Sequence, residues 1–134
     1  MAGRNRQVFE SALEAFNRRD IEELLTYLDT EIEWYPVLEV LLGGAGTVYR
    51  GHDGVREFFA AIDEAMAEIR AEMVTIAEES ENQIVASGRL HARGRLSGAV
   101  TDAPLGWLTR FRGEKVVLVR SFRSVGDALQ AARE

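Results

Sequence analysis

Cysteine is absent from the 134-residue sequence, and several kinds of chemistry are excluded with it. Zinc-thiolate sites, iron–sulfur clusters and cysteine nucleophiles all need a thiolate. The absence of disulfides is consistent with a reducing compartment such as the cytoplasm. The sequence also lacks an apolar stretch long enough for a membrane span, and its polar start has no signal-peptide pattern. We therefore expect a cytoplasmic protein that makes no use of a membrane.

Lysine is nearly absent, and fifteen of the sixteen basic residues are arginine. With abundant alanine and glycine, this favours a GC-rich bacterial genome as the source. The net charge of −6 argues against general nucleic-acid binding. Residues 84–124 nevertheless carry a local charge of about +6. This basic segment either attracts an anionic ligand or forms solvated strand edges, and the second alternative is favoured.

Histidine is scarce as well, and neither His52 nor His91 has a His or Glu at helical ligand spacing beside it. We therefore expect no metal site. The glycine-rich segment Gly43–Gly46 lacks the Lys-Ser/Thr pair of a phosphate loop. No cofactor is implied by any motif in the sequence.

Apolar spacing predicts three helices in the first half of the chain. Residues 5–18 repeat apolar side chains at helical intervals, and Asp20 with Glu23 forms a capping-box pattern at the start of a second helix. Residues 31–35 alternate as a short strand that Pro36 stops. A third helix begins near Asp53.

Strands dominate the second half. Apolar segments near 70–79, 83–96, 105–112 and 115–123 are separated by turn-prone residues, which predicts antiparallel pairing. Ser124 and Asp127 then predict a capped C-terminal helix. The expected fold class is α+β, in one domain spanning residues 1–134. Three N-terminal helices pack on a curved antiparallel sheet, giving a cone with an interior pocket.

This order of elements resembles the SnoaL-like branch of the nuclear transport factor 2 superfamily. The resemblance is carried by short motifs in a fixed order, namely Ala15–Asp20, Glu31–Pro36, Tyr49–Val55, Gly94–Gly98, Phe111–Val116 and Asp127–Ala132. It implies a cone-shaped fold with an interior pocket, and a homodimer packed through the outer face of the sheet. It implies no single activity, because the superfamily contains isomerases, cyclases, hydrolases and members without catalysis.

The carboxylates used by catalytic relatives are missing from the matching positions. Tyr35 stands where the resemblance to ketosteroid isomerase, a worked example of pKa tuning, implies the aspartate base. Ala12 replaces that enzyme's oxyanion-donating tyrosine, and the late strand 120–124 contains no acid. No aspartate accompanies His91 on its own predicted strand or on the next two, and we interpret Asp102 as part of a hairpin. This leaves His91 and Glu33 as the candidate catalytic residues. Because three arginines share its strand face, His91 is more consistent with an exposed or dimer-facing position.

Aromatic residues with polar edges suit a ligand cavity. The residues predicted to line the pocket are Trp34, Tyr35, Tyr49, Phe58, Trp107 and Phe122. The sequence favours a protein that binds a small apolar or aromatic molecule. An acid–base enzyme acting on such a molecule is the first alternative, and a structural or interaction dimer is the second.

Overall fold

Four helices and six strands make up the computed structural model, which describes residues 2–36 and 47–134. The helices are α1 (Ala2–Asn17), α2 (Ile21–Tyr27), α3 (Gly51–Ala65) and α4 (Val125–Ala132). The strands are β1 (Leu28–Tyr35), β2 (Tyr49–Arg50), β3 (Met66–Glu79), β4 (Gln83–Gly94), β5 (Val100–Arg112) and β6 (Lys115–Phe122). The interpretation of Gly43–Gly46 falls outside the described residues.

The junction between α1 and α2 follows the predicted capping chemistry. Arg19 adopts a left-handed conformation with φ of 59°, and the N–H groups of Arg19 and Asp20 donate to the carbonyls of Phe16 and Ala15. This pattern is a Schellman motif, which satisfies free carbonyls at the end of a helix. The side chain of Asp20 then accepts a hydrogen bond from the N–H of Glu23 at 3.1 Å. The predicted cap of α2 is therefore confirmed.

The six strands form one mixed sheet in the order β2-β1-β6-β5-β4-β3. Strands β3 to β6 pair antiparallel, as the turns between them require. Strand β1, however, lies parallel to β6. The sheet is therefore mixed, with the predicted antiparallel pairing in β3 to β6. No hairpin joins β1 to β6, so no turn fixes the direction of β1. The register between β3 and β4 shifts at three places along β3, and bulges at such places bend a sheet.

Strand β5 begins earlier than the sequence predicts. It starts at Val100, so Asp102 lies within a strand and its interpretation as a hairpin residue was wrong. The prediction missed this extension because Pro104 reads as the end of a strand. Strand β6 pairs with β5 only from Gly106 onward, so residues 100–105 are not paired by β6 on that side. Proline is tolerated at such an edge because its missing N–H leaves no ladder bond unmade.

The two faces of the sheet have different coverings. The inner face packs against α1, α2 and α3 and forms the main core with residues such as Ile32, Phe59 and Ile84. Helix α4 covers part of the outer face, where Ala128 packs with Val85 and other apolar side chains in a second cluster. Pocket-forming residues are therefore expected on the inner face alone.

The amide side chain of Asn17 pairs helix α1 with the edge strand β3. Asn17 donates to the carbonyl of Ala71 at 2.8 Å and accepts from the N–H of Ala71 at 2.9 Å. The amide thereby makes the two hydrogen bonds that a neighbouring strand would make, and it covers part of the sheet edge. This bond pair positions α1 over the inner face.

Candidate functional site: an apolar interior cavity

An apolar cavity of about 90 Å³ lies between the inner face of the sheet and the helices. Its wall is formed by Phe9, Ala12, Leu13, Phe16, Leu24, Leu28, Trp34, Pro36, Phe58, Ile69, Ala71, Leu90, Leu105, Trp107, Thr109, Val116, Val119 and Ser121. Among these described residues none has a titratable side chain. An engineered cavity of about 150 Å³ holds benzene, so this cavity fits only a compact molecule unless side chains move.

Strand periodicity explains the apolar wall. Leu105, Trp107 and Thr109 alternate along β5 and point to the inner face, as does Leu90 on β4. The Trp107 ring lies across Gly88 of β4. A Cβ at Gly88 would lie 2.6 Å from Cζ3 of Trp107 and 2.2 Å from the carbonyl oxygen of Glu72. Glycine at this position therefore makes room for the largest side chain of the cavity wall.

The side-chain polar groups of the described wall are the hydroxyls of Thr109 and Ser121 and the indole N–H groups of Trp34 and Trp107. Thr109 is 2% exposed, and its Oγ1 has no hydrogen-bond partner among the described residues. Ser121 lies on the neighbouring strand β6, where Val119 pairs with Thr109 and Ser121 pairs with Trp107. The two hydroxyls therefore occupy diagonal positions on one face of the sheet.

Three of the predicted pocket residues line this cavity, namely Trp34, Phe58 and Trp107. The Trp34 and Phe58 rings pack at a centroid distance of 5.6 Å, and Phe9 meets Trp107 edge to face at 5.9 Å. Such contacts fix the rings and preform the wall.

Tyr35 and Glu33 lie on the outer face, because strand alternation places them opposite Trp34. The Tyr35 hydroxyl donates to Glu33 at 2.9 Å, and Glu33 also pairs with Arg50 at 3.3 Å. The bond to Glu33, followed by partial burial, raises the pKa of Tyr35. The guanidinium of Arg120 lies 5.7 Å from the centre of the Tyr35 ring. The placement of Tyr35 in the pocket wall is therefore corrected, and Glu33 does not reach the cavity.

Tyr49 and Phe122 are also outside the cavity wall. Tyr49 packs against the Phe58 ring at 5.5 Å from behind the wall. Phe122 belongs to the cluster beneath α4, with Arg120 stacked on its ring at 4.9 Å. The prediction placed Phe122 on the wrong face, because alternation along β6 gives that side to Ser121.

His91 lies on the outer face of β4 beside a carboxylate. Asp102 is its register partner on β5, with Oδ2 3.6 Å from Nδ1 of His91, while Arg89 pairs with Asp102 at 2.8 Å. The expectation that no aspartate accompanies His91 was therefore wrong, and the missed extension of β5 is the reason. Nε2 of His91 is buried and has no partner among the described residues. This pair is separated from the cavity by the sheet.

Arginines of the basic segment are largely engaged by protein groups. Arg93 pairs with Glu68 at 3.0 Å, and Arg112 pairs with Asp29 and Glu31 at 2.8 and 2.9 Å. Arg95 donates to the carbonyls of Asp63 and Met66. These contacts favour solvated ion pairs over an anion site.

No group of three or more His, Asp or Glu side chains at residues 2–36 and 47–134 is arranged to hold a metal ion. His52 instead contacts the carbonyl oxygen of Leu28 through Nε2 at 2.9 Å, linking the first turn of α3 to β1. Within the same residues, no helix is long and apolar enough to cross a membrane.

Most of the helical wall was not predicted. Phe9, Ala12, Leu13 and Phe16 were recognised as one apolar face of α1 but were not assigned to the pocket. Thr109 and Ser121 were missed as well. The alternation of Trp107, Thr109 and Phe111 along one strand was the available signal for Thr109.

Comparison with known proteins defines the class. The family model of SnoaL-like domains matches residues 9–119, so the chain belongs to the SnoaL-like family. Among solved structures, an NTF2-like protein of unknown function from Burkholderia pseudomallei K96243 is similar with a TM-score of 0.78, at 24% identity over 95% of each chain. TerC, co-crystallised with polyporic acid, has a TM-score of 0.77 at 20% identity, over 98% of this chain and 99% of its own.

A third structure has the ketosteroid isomerase-like fold. It is a protein from Catenulispora acidiphila DSM 44928 in complex with trimethylamine, with a TM-score of 0.73 at 12% identity, covering 92% of this chain and 89% of its own. At these identities the similarity establishes the fold. A comparison with curated proteins gives no match.

Proposed function

We propose that this protein binds a small, compact apolar molecule in the interior cavity. The observation that carries the proposal is the chemistry of the wall, which combines aromatic and aliphatic side chains with no titratable group among the described residues. Apolar sites of this kind take up apolar guests. Structural relatives with polyporic acid and trimethylamine lend support, since both are small molecules held by the same fold.

Size restricts the ligand. Sites for drug-sized molecules enclose about 300–1,000 Å³. The cavity encloses about 90 Å³. The proposed ligand is therefore a single small ring or a short branched chain, and polyporic acid itself is expected not to bind without a change in the wall.

Thermal unfolding with benzene tests the proposal. Ligand at ten times its Kd stabilises the folded protein by about 1.4 kcal/mol, which raises the Tm by several degrees. Ala12→Leu adds volume to the cavity wall and should abolish this shift. Ala61→Leu is the matched control, because Ala61 lies on the exposed side of α3 and should leave the shift unchanged. Equal shifts in both variants would contradict binding in this cavity.

The two candidate catalytic residues provide a second test. His91 and Glu33 lie on the outer face, so His91→Ala and Glu33→Gln should leave the benzene-induced shift unchanged. A general base contributes about 10²- to 10⁴-fold to a rate. If a substrate of this protein is turned over and either variant lowers the rate by such a factor, the proposed binding function gives way to an acid–base enzyme.

A further inference from the structure

We infer that the ligand of the cavity carries one hydrogen-bonding oxygen, such as a ketone, and that the hydroxyl of Thr109 recognises it. This inference rests on the proposed function and specifies its ligand class. Thr109 sits on the inner face of β5 and lines the cavity. Its side chain is almost completely buried, with 2% exposure.

The evidence is an unsatisfied polar atom. Oγ1 of Thr109 is buried and has no hydrogen-bond partner among residues 2–36 and 47–134. Most buried side-chain polar atoms in proteins have a partner, and an unpaired one calls for a specific explanation. The wall around Thr109 is apolar, so a ligand oxygen is the group that would complete its hydrogen bonding.

The position of Thr109 gives the ligand a direction. Its register partner Val119 and its strand neighbour Trp107 both belong to the cavity wall. Ser121 stands diagonally across on β6, in reach of the same small molecule. An apolar body would therefore lie against Trp107 and Val119, and its oxygen would meet the hydroxyl of Thr109 once rotation about χ1 turns Oγ1 toward the cavity.

Specificity follows from the surroundings of this hydroxyl. A hydrocarbon leaves the buried hydroxyl unpaired, as it is in the apo protein, whereas a ketone of the same shape gains a hydrogen bond from it. The net value of one hydrogen bond corresponds to about three- to tenfold in Kd. Thr109 thus discriminates between ligands of one shape by a single oxygen.

The test compares cyclopentanone with methylenecyclopentane, which have the same shape and differ in the oxygen. Their Kd values are measured by NMR titration for the wild type and for Thr109→Val, which replaces the hydroxyl by a methyl group. The ratio of the two Kd values should move about three- to tenfold toward the hydrocarbon in the variant. Thr109→Ser should keep the wild-type ratio, and Thr101→Val, the same change in β5 outside the cavity, should do so too.

The apo proteins give an independent readout. Removing an unpaired buried hydroxyl should raise the Tm of Thr109→Val above that of the wild type. A lowered Tm with an unchanged Kd ratio would assign the hydroxyl to the fold and overturn the inference. If both probes bind and the ratio of their Kd values is the same for the wild type and Thr109→Val, the inference fails while the proposed function stands. If neither probe binds the wild type, the proposed function itself fails.

Discussion

Gly88 is the residue on which the shape of the cavity wall depends most directly. Gly88→Ala places a methyl group within 2.2 Å of the Glu72 carbonyl oxygen and 2.6 Å of the Trp107 ring. Because backbone must move to relieve this overlap, we expect a loss of about 3 kcal/mol in the free energy of unfolding. Urea denaturation measures it.

Gly126→Ala is the matched control for that experiment. Gly126 lies in the first turn of α4, and its added Cβ would be 3.8 Å from Oγ of Ser124, an ordinary van der Waals distance. A helical glycine replaced by alanine gains about 0.5–1 kcal/mol. Equal losses in the two variants would contradict the role assigned to the space at Gly88.

Through Asp29, the free energy of unfolding depends on pH. It accepts a hydrogen bond from the N–H of Glu31 at 2.8 Å and pairs with Arg112 at 2.8 Å, and these contacts lower its pKa in the folded state. The stabilisation by ionised Asp29 is therefore complete above the ordinary aspartate pKa of about 3.9. It is lost as the pH falls through the lower pKa of Asp29 in the folded state.

Replacement of Asp29 by Asn should consequently destabilise the protein at pH 7, and the difference from the wild type should shrink below about pH 4. Chemical denaturation at a series of pH values measures this difference. Glu31→Gln is the comparison, because that carboxylate is 72% exposed and should contribute less. A difference that stays constant with pH would refute the assignment.

At the scale of single elements, Asn17 joins α1 to β3. Asn17→Ala leaves the N–H and the carbonyl of Ala71 without their partner, in a partly buried position. We expect a loss of about 1–3 kcal/mol in the free energy of unfolding. Arg18→Ala removes only the exposed ion pair with Glu23 and should cost less than about 1 kcal/mol. Comparable losses in both variants would exclude a docking role for Asn17.

The sequence predicted the helices and strands better than it predicted which face of each strand lines the cavity. The cap formed by Asp20 and the apolar side of α3 are local patterns, and both are present in the structure. Strand β5 was shortened in the prediction because Pro104 reads as a strand end unless the reach of β6 is known. The same shortening concealed the pairing of Asp102 with His91. Long-range pairing, which no local pattern encodes, decides both.

The same limit explains which site residues were missed. Alternation distinguishes two faces of a strand but does not say which face the helices cover. Trp34 and Tyr35 are adjacent aromatic residues, and only Trp34 faces the cavity. Phe122 looked equally suitable, but α4 folds back over its side of the sheet. The position of α4 depends on Gly106, where a Cβ would lie 2.3 Å from the carbonyl oxygen of Ser124.

At the scale of the whole molecule, the homodimer implied by the resemblance stays a prediction. Apolar side chains of β5 and β6 are largely covered within the single chain. Trp107 and Val119 face the cavity, and Leu118 packs in the cluster beneath α4. Multi-angle light scattering at micromolar concentration should give twice the mass of the chain. The mass of a single chain would count against a dimer through the outer face.

Trp34 and Trp107 are the two tryptophans of the sequence, and both line the cavity. Indole emission shifts in wavelength with the polarity of its surroundings and is quenched by close contact with other groups. All the indole fluorescence of this protein therefore originates at the cavity wall. A guest that enters should alter the emission spectrum without any attached dye. The packing of Trp107 over Gly88 thus provides the molecule with a built-in optical reporter of occupancy.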